Sequence, residues 1–249
     1  MSKIAVRNVS KSFMSGKEIL RDINFDVEEG EFICLLGPSG CGKTTLIRCI
    51  AGIEPTSSGE IFVAGKKVDG PGPERSVVFQ NFALFPWLTV RKNVSFGLEL
   101  AGKPKLEIGE IVLRVLKLVG LAHFMDSYPN ELSGGMRQRL GIARALAVDP
   151  EIMLMDEPFG ALDALTRSVL ERQVISIWRE TQKTILFVTQ NIDEAIMLAD
   201  RIHLFTSAPA SVKDIFEPKY AQPRFYSEHP DLLDLRENIV SLFKEEMRN

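Results

Sequence analysis

EFICLLGPSGCGKTTLIRCIAGI, residues 31 to 53, holds three signals in the one order that makes chemical sense of them. EFICLLG is a nearly continuous apolar run of the kind that forms a strand buried on both faces. In KTTLIRCIAGI, Leu46, Ile47 and Ile50 recur at helical spacing, and Gly52 is placed to stop the helix. Between them GPSGCGKTT, residues 37 to 45, fits the pattern G-x-x-x-x-G-K-[ST] in the strand-to-helix context that the pattern needs. Gly37, Gly40 and Gly42 allow the loop to turn tightly, so that successive backbone N–H groups and the helix N-terminus can face phosphate oxygens. The residues expected to wrap a nucleotide phosphate chain are therefore Gly37, Pro38, Ser39, Gly40, Cys41, Gly42, Lys43, Thr44 and Thr45. Lys43 would reach the β and γ phosphates and the Thr44 hydroxyl would ligate Mg²⁺.

Outward from this stretch the chain alternates strand and helix. IMLMDEP, residues 152 to 158, is an apolar strand ending in two carboxylates. Asp156 is the expected Mg²⁺ partner of the phosphate loop, and Glu157 is placed to polarise an attacking water as a general base. A helix is expected from about Ala164 to Glu180, and TILFVT, 184 to 189, reads as another buried strand. Such alternation implies a parallel sheet. Strands IAVRNV (4 to 9), INFDV (23 to 27), Ile61 to Val63 and SVVFQ (76 to 80) occupy the first third, whereas Val90 to Ala147 is mostly helical and reads as an insertion. The tail from 229 to 248 sets Leu232, Leu235, Ile239, Leu242 and Phe243 on one helical face, as expected of a helix packed on its own domain.

Composition narrows the function classes. The 249 residues carry 30 Lys and Arg against 33 Asp and Glu, so no global basic field favours nucleic acid. There is no signal-peptide-like start and no apolar run long enough to span a bilayer, so a cytosolic location is expected. Cys34, Cys41 and Cys49 lack metal-ligand spacing and read as free structural thiols.

LSGGMRQR, residues 132 to 139, is a Ser-capped, small-residue helix start whose hydroxyl and N–H groups could bind phosphate. With it in place, the sequence resembles the ATP-binding subunit of ABC transporters over almost the whole chain. LSGGMRQR is similar to that family's signature motif and FGALD, 159 to 163, to its D-loop. Gln80 in VVFQ matches the glutamine that helps ligate Mg²⁺ and orient water, and Phe13 in KSF the aromatic that stacks on adenine. The resemblance implies an α/β P-loop NTPase (RecA-like) core with an N-terminal antiparallel β subdomain and an inserted α-helical subdomain. It divides a single ABC ATPase domain into a core of 1–88 and 151–207, a helical signature lobe of 89–150 and a C-terminal extension of 208–249.

It further implies ATP and Mg²⁺ as ligands and a head-to-tail dimer with a second ATPase subunit, identical or not. There Ser133, Gly134, Gly135 and Gln138 of one copy, with Asp163, would complete the site of the other. The other implied partners are transmembrane permease subunits on the inner face of the cell membrane and, indirectly, a periplasmic or extracellular solute-binding protein. Nucleic acid is not expected. The stretch from Gly70 to Lys103 looks like the nitrate, sulfonate and taurine importer branch. Its apolar residues Phe82, Leu84, Phe85, Trp87 and Leu88 fit either lobe core or a docking surface.

One position departs from the pattern. The strand TILFVT is followed by Gln190 and Asn191 where the family has histidine and aspartate. His123, His203 and His229 lie elsewhere in the chain and read as ordinary surface or core residues. An amide keeps a donor and an acceptor but cannot titrate, so hydrolysis is expected to be slowed, and an ATPase serving mainly as an ATP-binding regulatory subunit is the alternative.

Overall fold

The computed structural model describes residues 2–13, 16–160 and 162–247. Ala161 of the FGALD stretch and the last two residues of the C-terminal extension lie outside them. The chain divides into two compact units, Met1–Gly72 with Gln182–Asn249, and Pro73–Thr181. In chain order the first unit opens with β1 (Ser2–Ser12), β2 (Glu18–Glu28), β3 (Phe32–Leu36), α1 (Lys43–Ala51), β4 (Ser58–Val63) and β5 (Lys66–Lys67). The second unit comprises β6 (Arg75–Val78), α2 (Val90–Leu100), α3 (Lys105–Leu118), α4 (Gly134–Ala147), β7 (Ile152–Asp156) and α5 (Ala164–Thr181). The chain then returns to the first unit with β8 (Thr184–Thr189), α6 (Ile192–Leu198), β9 (Arg201–Phe205), β10 (Val212–Phe216) and α7 (Leu232–Glu246).

Two sheet systems build the first unit. β2, β1, β4 and β5 form an antiparallel sheet in that order. Along β1 the inward residues Ile4 and Val6 are followed by Val9, because a register shift at left-handed Asn8 resets the alternation. In the other system β3 runs parallel to both β8 and β9, with β10 antiparallel on the far side of β9. Every residue of β3 and of β8 is buried, which accounts for the unbroken apolar runs in the sequence. The second unit pairs β6 with β7 in parallel and packs α2, α3 and α4 together.

Most expected elements stand where the sequence puts them, and the differences have physical causes. The strand expected to run to Gln80 stops at Val78, since Phe79 accepts the N–H of Phe82 in a turn. β9 and β10 were not anticipated. RIHLF places His203 in the middle of an apolar run, and VKDIF carries adjacent Lys213 and Asp214, of which Lys213 pairs with Glu245 and Glu246 of α7. In α7 Leu232 and Ile239 are buried, while Leu235, Leu242 and Phe243 are half-buried, and the helix packs on α6. Of the apolar group after Gln80, Phe82, Leu84, Phe85 and Leu88 are half-buried and Trp87 is 71% exposed.

Candidate active site

In the first unit the phosphate loop joins the end of β3 to α1. Gly42 is the N-cap of α1 and has no side chain to occupy the first-turn N–H groups. Its φ of 123° and the closeness of Ile19 and Leu20, 2.9 Å from where a Cβ would stand, exclude any other residue. Gly40, at φ 73°, faces the opposite situation: a Cβ there would meet nothing within 4 Å. Ser39 and Gly40 are exposed, and Thr44 and Thr45 are half-buried in the first turn of α1. The loop thus offers an open rim above a tightly packed base, which fits a phosphate chain.

Lys43 departs from the expectation. It is only 3% exposed, and its ammonium donates to the carbonyl oxygens of Gly37 and Pro38, both at 2.7 Å, instead of pointing out of the loop. A buried charge needs oxygen partners, and the loop's own carbonyls supply them.

Strand register brings Gln190 to the same place. Leu36 of β3 pairs with Thr189 of β8, so the next residues, Gly37 and Gln190, leave adjacent parallel strands side by side. The carboxyl ends of parallel strands are where open α/β sheets bind ligands. Gln190 is exposed there. Burial pushes the Cys34 thiol well up; Glu194 of α6 raises it further and Lys43 lowers it, so the loop and α6 flank one strand. Phe13 directly follows β1 and is 43% exposed, with the Lys11 ammonium 5.1 Å from its ring centre. The hairpin partner of its neighbour Ser12 is Glu18, one residue before the Ile19 that packs on Gly42.

The second unit holds the carboxylates. Met155 of β7 pairs with Val78 of β6, so Glu157 and Gln80 each follow that pair by two residues. Asp156 is buried, 7% exposed, at the strand end, and Glu157 takes a left-handed φ of 43° that turns the chain sharply. The position a Gly160 Cβ would occupy lies 3.2 Å from Gln80 Nε2 and 3.8 Å from a Glu157 carboxylate oxygen, so Gly160 is small where these two groups converge.

Gln80 is itself exposed, and the loop after it is strained: Phe82 and Ala83 have φ of 63° and 45°. Arg144 of α4 holds that strain, donating to Ala83 O at 2.5 Å and Phe82 O at 3.0 Å while lying over the Phe85 ring. Asn93 in the first turn of α2 braces the same loop: it is fully buried and bonds Phe85 N, Phe85 O and Leu88 O. Neither Arg144 nor Asn93 was singled out by sequence; an Arg near the end of a helix carries no local signal for carbonyls some sixty residues earlier in the chain.

Ser133 is exposed and caps α4, its oxygen accepting from Met136 N at 3.3 Å. A Cβ on Gly135 would lie 2.6 Å from Thr166 of α5, which explains the small residue there. Gln138, expected among the nucleotide contacts, is fully buried on the inner side of α4 with neither amide atom hydrogen-bonded, so it offers no group to a ligand in this conformation. Asp163 is exposed and accepts from both the N–H and the hydroxyl of Thr166, which hold its carboxyl below the usual range.

No group of three or more His, Cys, Asp or Glu among the described residues could hold a metal by itself. Within the second unit the oxygen donors of Asp156 and Gln80 are of the kind that suits Mg²⁺, an ion bound through one or two carboxylates with substrate phosphate and water filling its shell. No helix among the described residues is long and apolar enough to cross a membrane.

The profile of the ABC transporter family matches residues 20–160, from the strand that packs on Gly42 through the carboxylates. An ABC transporter ATP-binding protein of Methanocaldococcus jannaschii, described as uncharacterized, is 48% identical over 98% of this chain and 92% of its own length. The taurine import ATP-binding protein of Shigella boydii is 46% identical over 91% of each chain. Among solved structures, a dimeric ATP-binding cassette in a post-hydrolysis state, bound to ADP and Pi, matches with a TM-score of 0.77 and 30% identity, covering 88% of this chain and 100% of that one. With a phosphate loop, an acidic strand end and a Ser-capped signature helix all carried on the matching fold, the chain belongs to the ABC transporter family, as one of its ATP-binding, ATP-hydrolysing subunits.

Proposed function

We propose that this subunit drives an importer, coupling ATP-dependent closure of a head-to-tail pair of ATPase subunits to uptake of a small anionic solute of the nitrate, sulfonate or taurine kind. Separate transmembrane subunits would form the path, a solute-binding protein outside the cell would deliver the solute, and this chain would sit on the cytoplasmic face. The taurine import relative supports the solute class. By function the chain would divide into a core of 1–88 and 151–207, a signature lobe of 89–150 and an extension of 208–249, a division that differs from the two compact units, which part at Gly72 and Gln182.

The observation that carries the ATPase reading is the convergence of Gln80 and Glu157 on Gly160. Glu157 takes the proton of an attacking water as general base, and Gln80 orients that water from the neighbouring strand end. Loop N–H groups from Gly37 to Thr45 bind the phosphates, and Lys43 exchanges the Gly37 and Pro38 carbonyls for β and γ oxygens. Thr44, Asp156 and Gln80 would hold Mg²⁺, which would supply positive charge against that building on the phosphates. Ser133, Gly134 and Gly135 of one copy cover the phosphate loop of the other, with Asp163 at the same interface, and Phe13 stacks on the base.

The test is Glu157→Gln, which keeps shape and hydrogen bonding but removes the base. Phosphate release should fall by roughly 10²–10⁴-fold while ATP binding, followed by nucleotide fluorescence, is retained. An unchanged rate would sink the assignment. A second reading, an ATPase that works mainly as an ATP-binding switch, is favoured by one observation, the neutral amide of Gln190 beside the phosphate loop.

A further inference from the structure

Gln190 stands between β8 and α6, and α6 has only seven residues, too few to hold itself in helical form. Its first turn is tied to the end of β8. Asn191 Oδ1 accepts from Asp193 N at 2.9 Å and Glu194 N at 3.3 Å. Asn191 N donates to Thr189 Oγ1 at 3.0 Å, and that hydroxyl donates to the buried Glu194 carboxylate at 2.6 Å. The backbone on both sides of Gln190 is therefore fixed to α6, and wherever α6 goes Gln190 follows.

What fixes α6 is the C-terminal segment of the same unit. At the front of the helix, Asp193 Oδ1 accepts from the Tyr226 hydroxyl at 2.6 Å and from Arg236 Nε of α7 at 2.7 Å. At the back, the buried Arg224 guanidinium donates to the Ile196 and Ala199 carbonyls at 3.2 and 2.9 Å. It also binds Pro218 O and Lys219 O of its own segment. Those Ile196 and Ala199 carbonyls belong to the C-terminal end of α6, whose unpaired oxygens and negative dipole end favour a cation. Leu232 and Ile239 of α7 are buried in the same region. A seven-residue helix is thus gripped at both ends by groups that lie after residue 217.

We propose that the C-terminal segment positions Gln190 through α6, with Asp193 as the positioning residue that Tyr226 and Arg236 hold, so that the clamp sets ATP turnover and leaves nucleotide affinity unchanged. The proposal rests on the reading of this chain as an ATPase whose Gln190 faces the γ-phosphate. A clamp that only added stability would be felt in melting temperature and not in kcat.

The experiment compares full-length wild type with Tyr226→Phe, Arg236→Ala and Arg236→Lys for kcat, KM for ATP and thermal midpoint. Tyr226→Phe keeps the ring and removes one hydroxyl, so it carries the test should Arg236→Ala fold poorly. Expected is a loss of kcat of roughly three- to thirtyfold at unchanged KM, partly restored in Arg236→Lys. In a Gln190→Ala background the same substitutions should cause no further loss, because a misplaced residue that is already gone cannot be misplaced again. Clamp variants with wild-type kcat, or losses that add in full to that of Gln190→Ala, would overturn the proposal while leaving the ATPase reading intact. A wild-type chain with no turnover at all would overturn both.

Discussion

Two glutamines, Gln80 and Gln190, leave the ends of parallel strands in the two units, and they are held in opposite ways. Gln80 is followed by two left-handed residues, Phe82 and Ala83, in a loop that owes its shape to Arg144 on the signature helix and to buried Asn93. Each such residue costs on the order of 1 to 2 kcal/mol, so this loop is strained and would relax if released. Gln190 is followed by an N-capped helix with no left-handed residue before it, and its restraint comes from the distant C-terminal segment. One amide is held by local strain, the other by remote clamping. The first should therefore answer to movement of the signature helix and the second to the tail.

The largest test of this contrast is Gln190→His. An imidazolium in place of a neutral amide would put positive charge beside the transition state, and one such donor is commonly worth roughly 2.7 to 4 kcal/mol. The expected result is a rise in kcat of about a hundredfold or more, read by phosphate release, with ATP binding unchanged. Equal rates would mean that the position does not touch the reacting phosphate.

The next effect separates the units by pH. His203 in β9 is fully buried against Phe25, and burial, with Arg201 adding to it, lowers its pKa to about 4. The ring is neutral in the folded protein, while the unfolded chain takes up a proton near pH 6.5. Stability is therefore complete above pH 6.5 and lost as the pH falls toward 4, by an amount on the order of 3 kcal/mol. Hydrogen exchange should show β3 and β9 amides losing protection over that range before those of α4 do. Simultaneous loss in both would indicate that His203 is not the cause.

The smallest effect is that of Arg144→Met, which keeps much of the length and removes the charge that holds the Phe82 and Ala83 carbonyls. A cost of about 1.5 to 3 kcal/mol is expected from denaturant titration, with slower turnover as Gln80 loses its fixed approach. Clean loss of stability with wild-type kcat would show that the loop keeps its shape without the arginine.

How much of this was legible in the sequence depends on whether the signal was local. The strand, loop and helix of residues 31 to 53 could be read because each obeys a short-range rule, and β3, α1 and the Gly52 stop lie within two residues of where those rules put them. Glu157 and Gln80 could be found only as motif residues; their meeting at Gly160 depends on the register of β6 against β7. Gln138 shows the limit of motif reading, since neighbours along α4 differ in burial from one residue to the next and only packing decides which side faces inward. β9 and β10 were missed because a buried His in one and adjacent Lys213 and Asp214 in the other break the alternation that marks a strand. The clamp on α6 joins residues some thirty to forty positions apart in sequence, and no pattern in either partner announces the other.

The Lys43 ammonium, already satisfied by two carbonyls of its own loop, has a consequence for discrimination among anions. A ligand must offer more than two good oxygens to be worth the exchange. Chloride would have to displace both carbonyls for a single contact and inorganic phosphate could engage only one part of the loop, whereas a triphosphate returns contacts along the whole of it. The lysine is in that sense a threshold: a small anion would gain little by taking it from its carbonyls, and a polyphosphate would gain most by replacing every bond it gives up.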